Sequence, residues 1–434
     1  MSVVSVTSLY MVLAGLAVLP QPDTEIPPIA VISLEDRLSM PYVDLLVPAT
    51  FSHDEIGNLR SRLEHERDEN IKAASKTEKH WKSELEAARA ELEELNRHGS
   101  MDTPGNRDRR SQLHVDIGAL ERGIREKAEE QKITIPAEYD KQLTKLWLIE
   151  HWPEQRNEIL RHIDLGEARR RPHGDVEDIG FRSIAKNPME DIETGKQAVR
   201  QMTAGGWLPA ELQDETTQNY VRQLANRIAA NSDLKVPLHV SVLDSGDPKA
   251  TALPGGFLFV TSGLMMATHT ESEFAGILSR EIARIAAQHA MRASKHSLIS
   301  KMFLPIAQIA TGFFSPGLNQ AAYYGIGYGM QGLSGVMDHM MDGAIEKYQK
   351  EADQLGVQYA WKAGFDPRGC IEFLDSLNGN AAAEFLAPSP ILTERLLNLF
   401  SEIEYLGPLP SNVILDSPEF HATRNRLQTE IEGR

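Results

Sequence analysis

Cysteine is nearly absent. The 434-residue chain has one, Cys370, so neither an intramolecular disulfide nor a cysteine-rich zinc module can be built, and the redox compartment stays open. Positive charge is also short. Lys and Arg number 45 against 62 Asp and Glu, a net charge of -17, which removes the electrostatic footprint of a general nucleic-acid binder. No internal repeat is evident. Hydrophobic residues at 41% and charged residues at 25% are ordinary for globular proteins and exclude a chain that is disordered throughout.

No apolar run makes a convincing membrane span. The first 22 residues carry no charge, and Leu9 to Val18 with Pro20 after it resembles the apolar region of a signal peptide while being too short to cross a bilayer. Export is expected over a buried N-terminal segment, and with it an extracytoplasmic location, periplasmic or secreted. The stretch from Met302 to Met337 has no charged residue, yet seven glycines interrupt it, Gly312 to Gly335, with Pro305 and Pro316. Glycine and proline weaken helix interiors, so a buried or lid-forming helix pair is expected in preference to membrane insertion.

The first half reads as a charged helical region over 54–165. Leu85, Ala88, Leu92 and Leu95 have the spacing of an amphipathic or coiled-coil seam. Pro104-Gly105 marks a turn, and Leu113, Ile117, Leu120 and Ile124 resume the helical spacing, so an αα-hairpin is expected. A third helical stretch from Ala137 to Leu165 is expected to break near Pro153, and Arg169 to Gly174 reads as a linker. The hairpin is a solvated pair of helices or an arm for partner binding and self-association.

Beyond the linker the pattern is mixed. Helices fit Asp191–Ala204 and Thr217–Ala230, strands fit Leu238–Val242 and Phe257–Thr261, and Pro254-Gly255-Gly256 is a turn. Thr270 with Glu273 opens a helix whose apolar face is Phe274, Leu278, Ile282 and Ile285. Later helices fit Ile345–Ala363, closed by Gly364, then Arg368–Leu377 and Ile391–Tyr405. The tail, 406–434, is expected to be less regular.

The residues from Asp244 to Ala290, with ALPGGFLFVTSG followed by SEFAGILSREIARIAAQHA, and a second block, EKYQKEADQLGVQYAWKAGFDPRG from Glu346 to Gly369, resemble the zinc metalloendopeptidases of the HtpX and BepA/LoiP type, relatives of the CAAX prenyl proteases. The similarity covers about residues 175–405. It implies an α+β, mostly helical, gluzincin-like metallopeptidase domain with a small β-sheet, preceded by the helical hairpin or coiled-coil region. In that family an H-E-x-x-H helix supplies two histidines one turn apart to a single zinc, a Glu from a later helix is the third ligand, and the motif Glu acts as base on the metal-bound water.

Aligned residue by residue, H-E-x-x-H is here Arg280-Glu281-Ile282-Ala283-Arg284. The third ligand position is Gln349, with Asp353 of the E-A-D retained. The family's late His-Pro is Ser389-Pro390, with Arg395 kept, and an Asn near the substrate cleft is Lys249. Only the base position, Glu281, and the scaffold with Gly255 and Gly256 survive. Arginine offers no lone pair and stays protonated, so no zinc is expected by the family mode, and two guanidinium groups near Glu281 and Asp353 can take over the electrostatic role of a divalent ion.

Three functions follow. The first is a catalytically inactive homologue, a pseudopeptidase of protein quality control that holds a protein or peptide segment in its cleft, paired along the strand after Gly256, with the Arg pair attracting a carboxylate. The second is an active zinc metalloendopeptidase with non-standard ligands, for which His339 with Asp338 or Asp342 is one source. The third is a structural adaptor working through the hairpin. His289 is expected to be a helix-packing residue and His269 a lid or core residue, not ligands.

Overall fold

The computed structural model describes residues 32–97, 103–167, 171–184, 188–206, 208–296, 334–376 and 389–433, with the backbone alone for 293–296, 334–346, 376 and 389–392. The N-terminal apolar segment and the uncharged stretch 302–333 lie outside the described residues, as does the His339 side chain.

The N-terminal half is helical. After α1 (Leu34–Ser39) and a short turn of 3-10 helix (Tyr42–Leu46), α2 runs over 45 residues, His53–Arg97. Helix α3 (Pro104–Glu129) is started by Thr103, whose hydroxyl accepts from Asn106 N at 3.3 Å with Pro104 behind it. The two helices pack antiparallel. Arg89 meets Glu121 at 2.7 Å and Arg109 meets Glu91 at 2.7 Å across the pair. Gly123 lies under the Trp81 ring, where a Cβ would stand 2.9 Å from a ring carbon.

Two expectations fail in the next element. A single turn of π-helix (Glu130–Thr134) carries α3 into α4 (Ile135–Asp164) without a break, and Pro153 sits inside α4 rather than ending it. Proline removes one amide donor, but tertiary packing holds this turn. Leu146, Leu148, Ile149 and Trp152 are buried, Trp152 Nε1 donates to the Leu46 carbonyl at 2.9 Å, and the indole meets Phe400 edge-on. The expected linker is likewise anchored: Arg171 is buried between Glu402 and Asp175, with ion pairs to both.

A three-stranded sheet and a set of helices make up the rest. Helix α5 (Pro188–Ala204) and α6 (Glu215–Ala230) precede β1 (His239–Leu243), β2 (Ala250–Leu253) and β3 (Phe257–Thr261), with spatial order β1-β3-β2. β1 is parallel to β3, Val240 opposite Leu258. β2 is antiparallel to it, Ala252 opposite Leu258. The turn between β2 and β3 needs its glycines. Gly255 and Gly256 have φ of 75° and 94°, and a Cβ on Gly256 would stand 1.9 Å from the Pro237 carbonyl oxygen.

The central position of β3 corrects the expected docking strand. Both of its edges are occupied, so no added segment can pair with it. The outer edge of β1 is filled as well: Gln218 bonds Val242 N at 3.0 Å and Val242 O at 2.9 Å, and Leu212 N donates to the same carbonyl. Among the described residues, the outer edge of β2 has no strand, bridge or backbone hydrogen bond along it.

Helices α7 (Ser262–Ala267), α8 (Glu271–Ala286) and α9 (His289–His296) follow, then α10 (Ser334–Lys362), α11 (Gly369–Ser376), α12 (Ser389–Leu406) and α13 (Pro418–Glu432). The last corrects the expected irregular tail. Ser417 caps it with Pro418 next, and Phe420 and Leu427 bury into the core. One hydrophobic cluster runs from Leu34 through Phe274, Ile282, Leu355 and Phe400 to Leu427, so α1, α4 and the foot of α2 share a core with the second half. No helix of the described residues is long and apolar enough to cross a membrane.

Candidate functional site

Helix α8 is buried almost all round, with Phe274, Leu278, Ile282 and Ala283 fully enclosed. Thr270 starts it by accepting from Glu273 N at 3.2 Å, while the Glu273 carboxylate accepts from His269 N at 2.9 Å. His269 is a cap residue with its ring 65% exposed, not a core one. Across α8 lies α10, and the two approach closely because Gly356 faces the backbone of Arg280, where a Cβ would stand 2.9 Å from Arg280 Cα.

That approach assembles a buried charge cluster. Arg280 Nε donates to Asp353 Oδ1 at 2.6 Å, and Arg395 from α12 donates through Nε to Asp353 Oδ2 at 2.7 Å and through Nη2 to Oδ1 at 3.2 Å. The Arg395 and Asp353 side chains are each 1% exposed. Burial alone would raise the Asp353 carboxyl, but the Arg395 and Arg280 charges and hydrogen bonds hold it below the ordinary carboxylate range. Glu281 is buried too, with Arg280 Nη1 at 3.4 Å and Arg284 Nη1 at 3.4 and 3.5 Å from its oxygens. The Arg284 side chain keeps 28% exposure, the most of the five.

Five of the sequence-selected residues, Arg280, Glu281, Arg284, Asp353 and Arg395, therefore meet in one place. Gln349 is buried on α10, and its Oε1 has no hydrogen-bond partner among the described residues. Lys249 stands at the start of β2 with Nζ 3.9 Å from Asp247, and Gly255 is fixed where its N–H donates to Asp191 at 3.0 Å. Ser389 opens α12; its side chain lies outside the described residues. Beside the cluster a cavity of about 20 Å³, room for one water, is lined by Gly276, Asp353, Cys370 and Arg395 among others. Burial pushes the Cys370 thiol up to about 12, which keeps it inert.

A second cluster escaped the sequence reading. Helix α8 ends at Ala286, and Gln288, with φ of 53°, turns the chain so that His289 begins a new helix. His289 Nε2 lies 3.0 Å from Glu351 Oε2, Arg292 Nη1 lies 2.8 Å from the same oxygen, and His173 Nδ1 lies 3.7 Å from Oε1. Burial works against the Glu351 charge, yet the His289 hydrogen bond and the His289 and Arg292 charges bring its pKa down to about 2. Burial holds both histidines below their ordinary value. The signal was the E-A-D block itself, whose Glu is Glu351; the bend at Gln288 that brings His289 to it was not readable from helical spacing.

These residues do not fit zinc at the positions the resemblance assigns. Guanidinium groups are donors only, Arg280 is committed to Asp353, and Gln349 is neutral. Among the described residues no three His, Cys, Asp or Glu side chains meet in a way that could hold a metal ion.

Comparison with known proteins places part of the chain in a family. Residues 215–403 match peptidase family M48. The chain is 28% identical over 231 residues to the beta-barrel assembly-enhancing protease of Yersinia pestis, covering 51% of this chain and 46% of that one. To the protein of that name from Escherichia coli K12 it is 24% identical over 246 residues, 55% and 48% of the two chains. To the mitochondrial metalloendopeptidase OMA1 of Bos taurus it is 28% identical over 203 residues, 42% and 38%. The chain thus spans about half the length of the curated relatives it matches. The mostly helical architecture, the small sheet and the α8–α10 pair are those of an α+β, gluzincin-like metallopeptidase fold, and residues 215–403 are accordingly a peptidase family M48 domain.

Proposed function

We propose that this chain is a catalytically inactive member of the M48 metalloendopeptidases that holds a segment of another protein in the peptidase cleft as a quality-control factor. The observation that carries the reading is the Arg280–Asp353 pair. A cation of the protein itself, covalently fixed, is bonded to the carboxylate that anchors the ligand-bearing helix, and two of the three positions that would bind zinc carry guanidinium groups, which only donate, while the third carries the neutral amide of Gln349. Glu281 then has no metal-bound water to deprotonate, and a lone carboxylate supplies little of the barrier reduction that peptide hydrolysis requires.

The scaffold that would grip an extended chain is kept. β2 presents an unpaired strand edge beside α8, suited to strand addition, in which main-chain hydrogen bonds supply affinity. That edge, rather than β3, is the docking line. An extracytoplasmic workplace goes with this reading through the N-terminal segment.

The test uses the full chain loaded with zinc, briefly desalted, and incubated with an unfolded protein such as casein. The expected result is binding, seen as a rise in fluorescence anisotropy of labelled casein, with no retained zinc by elemental mass spectrometry and no cleavage that a chelator suppresses. Chelator-sensitive cleavage lost in Glu281→Gln would overturn the reading in favour of an active enzyme.

A further inference from the structure

Helix α8, which carries Arg280, Glu281 and Arg284, has its first turn finished by residues from the far end of the chain. The first amides of a helix find no partner inside it. Thr270 serves Glu273 N, but Ser272 N donates to the Leu415 carbonyl at 3.0 Å and Glu271 N to Asp416 Oδ1 at 3.2 Å. The same stretch reaches α10 on its other side. Ile414 N donates to the Gly364 carbonyl at 2.9 Å and Asp366 N donates to the Ile414 carbonyl at 2.9 Å, which makes Ile414 a parallel bridge partner of Phe365 just past the end of α10. Three consecutive residues, Ile414, Leu415 and Asp416, therefore join the start of one site helix to the end of the other.

Helix α13 holds that staple in place. Phe420 is buried against Phe274 of α8 and Tyr220 of α6, Arg424 Nη2 donates to the Met266 carbonyl at 3.0 Å, and Arg426 Nε donates to Asp214, the cap of α6, at 2.9 Å. All of these strap residues lie beyond the stretch 215–403 that matches the family.

The seam that the staple closes contains Cys370. Gly369 packs on α8 so closely that a Cβ would stand 2.3 Å from the Ser272 carbonyl oxygen, and one turn on a Cβ at Gly276 would stand 2.8 Å from Cys370 Sγ. Cys370 also lines the small cavity beside Asp353 and Arg395. A first turn of α8 that came loose would thus part α8 from α11 next to the buried charges.

We infer that residues 414–433 are a strap that locks the site from outside the matched domain: it caps α8, ties it to α10, and its release is what frees α8 to move off α11 and Asp353. The device is independent of whether the cleft holds a segment.

Cys370, the chain's one cysteine, is the reporter. A buried thiol meets dithiobis-nitrobenzoate only while the structure around it is open, so its labelling rate in the native full chain measures that opening. Asp416 is exposed, and Asp416→Ala removes the acceptor of Glu271 N without emptying core space. It is expected to raise the rate about 10-fold. The rise should depend only weakly on urea, as a local opening does and global unfolding does not. Asn caps as well as Asp, so Asp416→Asn is expected to stay within about 2-fold of the parent. Leu113→Ala, which empties buried space in the hairpin, lowers global stability and is expected to leave the rate unchanged. An unchanged rate in Asp416→Ala, an equal rise in Leu113→Ala, or a rise with the urea dependence of global unfolding would each overturn the strap.

Discussion

Arg280 Nε stands 2.6 Å from Asp353 Oδ1, tying α8 to α10 at the point where Gly356 lets their backbones touch. The pair is buried, and Arg395 occupies the other Asp353 oxygen. Removing the anion takes from Arg280 and Arg395 the carboxylate they share, and the Arg395 side chain is 1% exposed. Asp353→Ala is therefore expected to cost about 3–5 kcal/mol, the range for breaking a buried pair from one side, measured by urea unfolding with the m-value held as a check on the unfolded state.

The same two helices predict the effect of one methyl group. A Cβ at Gly356 would stand 2.9 Å from Arg280 Cα and 3.0 Å from Arg280 N, backbone atoms that cannot rotate away. Gly356→Ala should force α8 and α10 apart and destabilise by about 1–3 kcal/mol, even though alanine favours helix. A variant as stable as the parent would show that this interface tolerates separation.

Much of this site is legible in the sequence, and the reasons for the rest are physical. Arg280, Glu281 and Arg284 sit at fixed spacing on one helix, so their neighbourhood follows from the helix alone, and Asp353 follows from the E-A-D block. What helical spacing cannot give is a change of direction inside it. Gln288 adopts a positive φ, so His289 leaves the α8 axis and reaches Glu351 on α10. Strand β2 is too short and too poor in β-branched residues to announce itself, and without it nothing in the sequence puts β3, the strand after Gly256, in the middle of the sheet. Pro153 was overruled by burial of Trp152 on the same turn. By contrast the start of α13 is legible, since Ser417 caps it and Pro418 takes its first helical position.

The His289–Glu351–His173 cluster sets an acid sensitivity. Burial keeps both histidines below their ordinary value in the folded chain, so between those lowered values and about pH 6.5 the unfolded state binds more protons and stability falls as pH falls. Glu351 acts in the same direction. Its folded value of about 2 lies below the ordinary value of a glutamate, so its contribution is complete above about pH 5 and is lost as pH drops towards 2. Urea midpoints measured from neutral to acid pH should decline from near pH 6.5, and Glu351→Gln should flatten the lower part of that decline. An unchanged slope would separate the cluster from acid stability.

If three side chains account for the loss of the metal, three substitutions should restore it. Arg280→His and Arg284→His place two imidazoles one turn apart on a helix whose neighbours are already packed, and Gln349→Glu supplies a carboxylate from the helix that Gly356 holds against it. The scaffold around them is unaltered, since Glu281, Asp353 and Arg395 remain in place. Arg395 keeps Asp353 paired when Arg280 is removed, through contacts at 2.7 and 3.2 Å, so the triple variant keeps the paired carboxylate that Asp353→Ala removes. It is expected to retain zinc near one equivalent after desalting, where the parent retains none, and to show a zinc-dependent rise in melting temperature. A triple variant that folds and binds no zinc would mean that the cleft has drifted beyond those three positions. The natural next variant is then Ser389→His, which returns the late histidine ahead of Pro390.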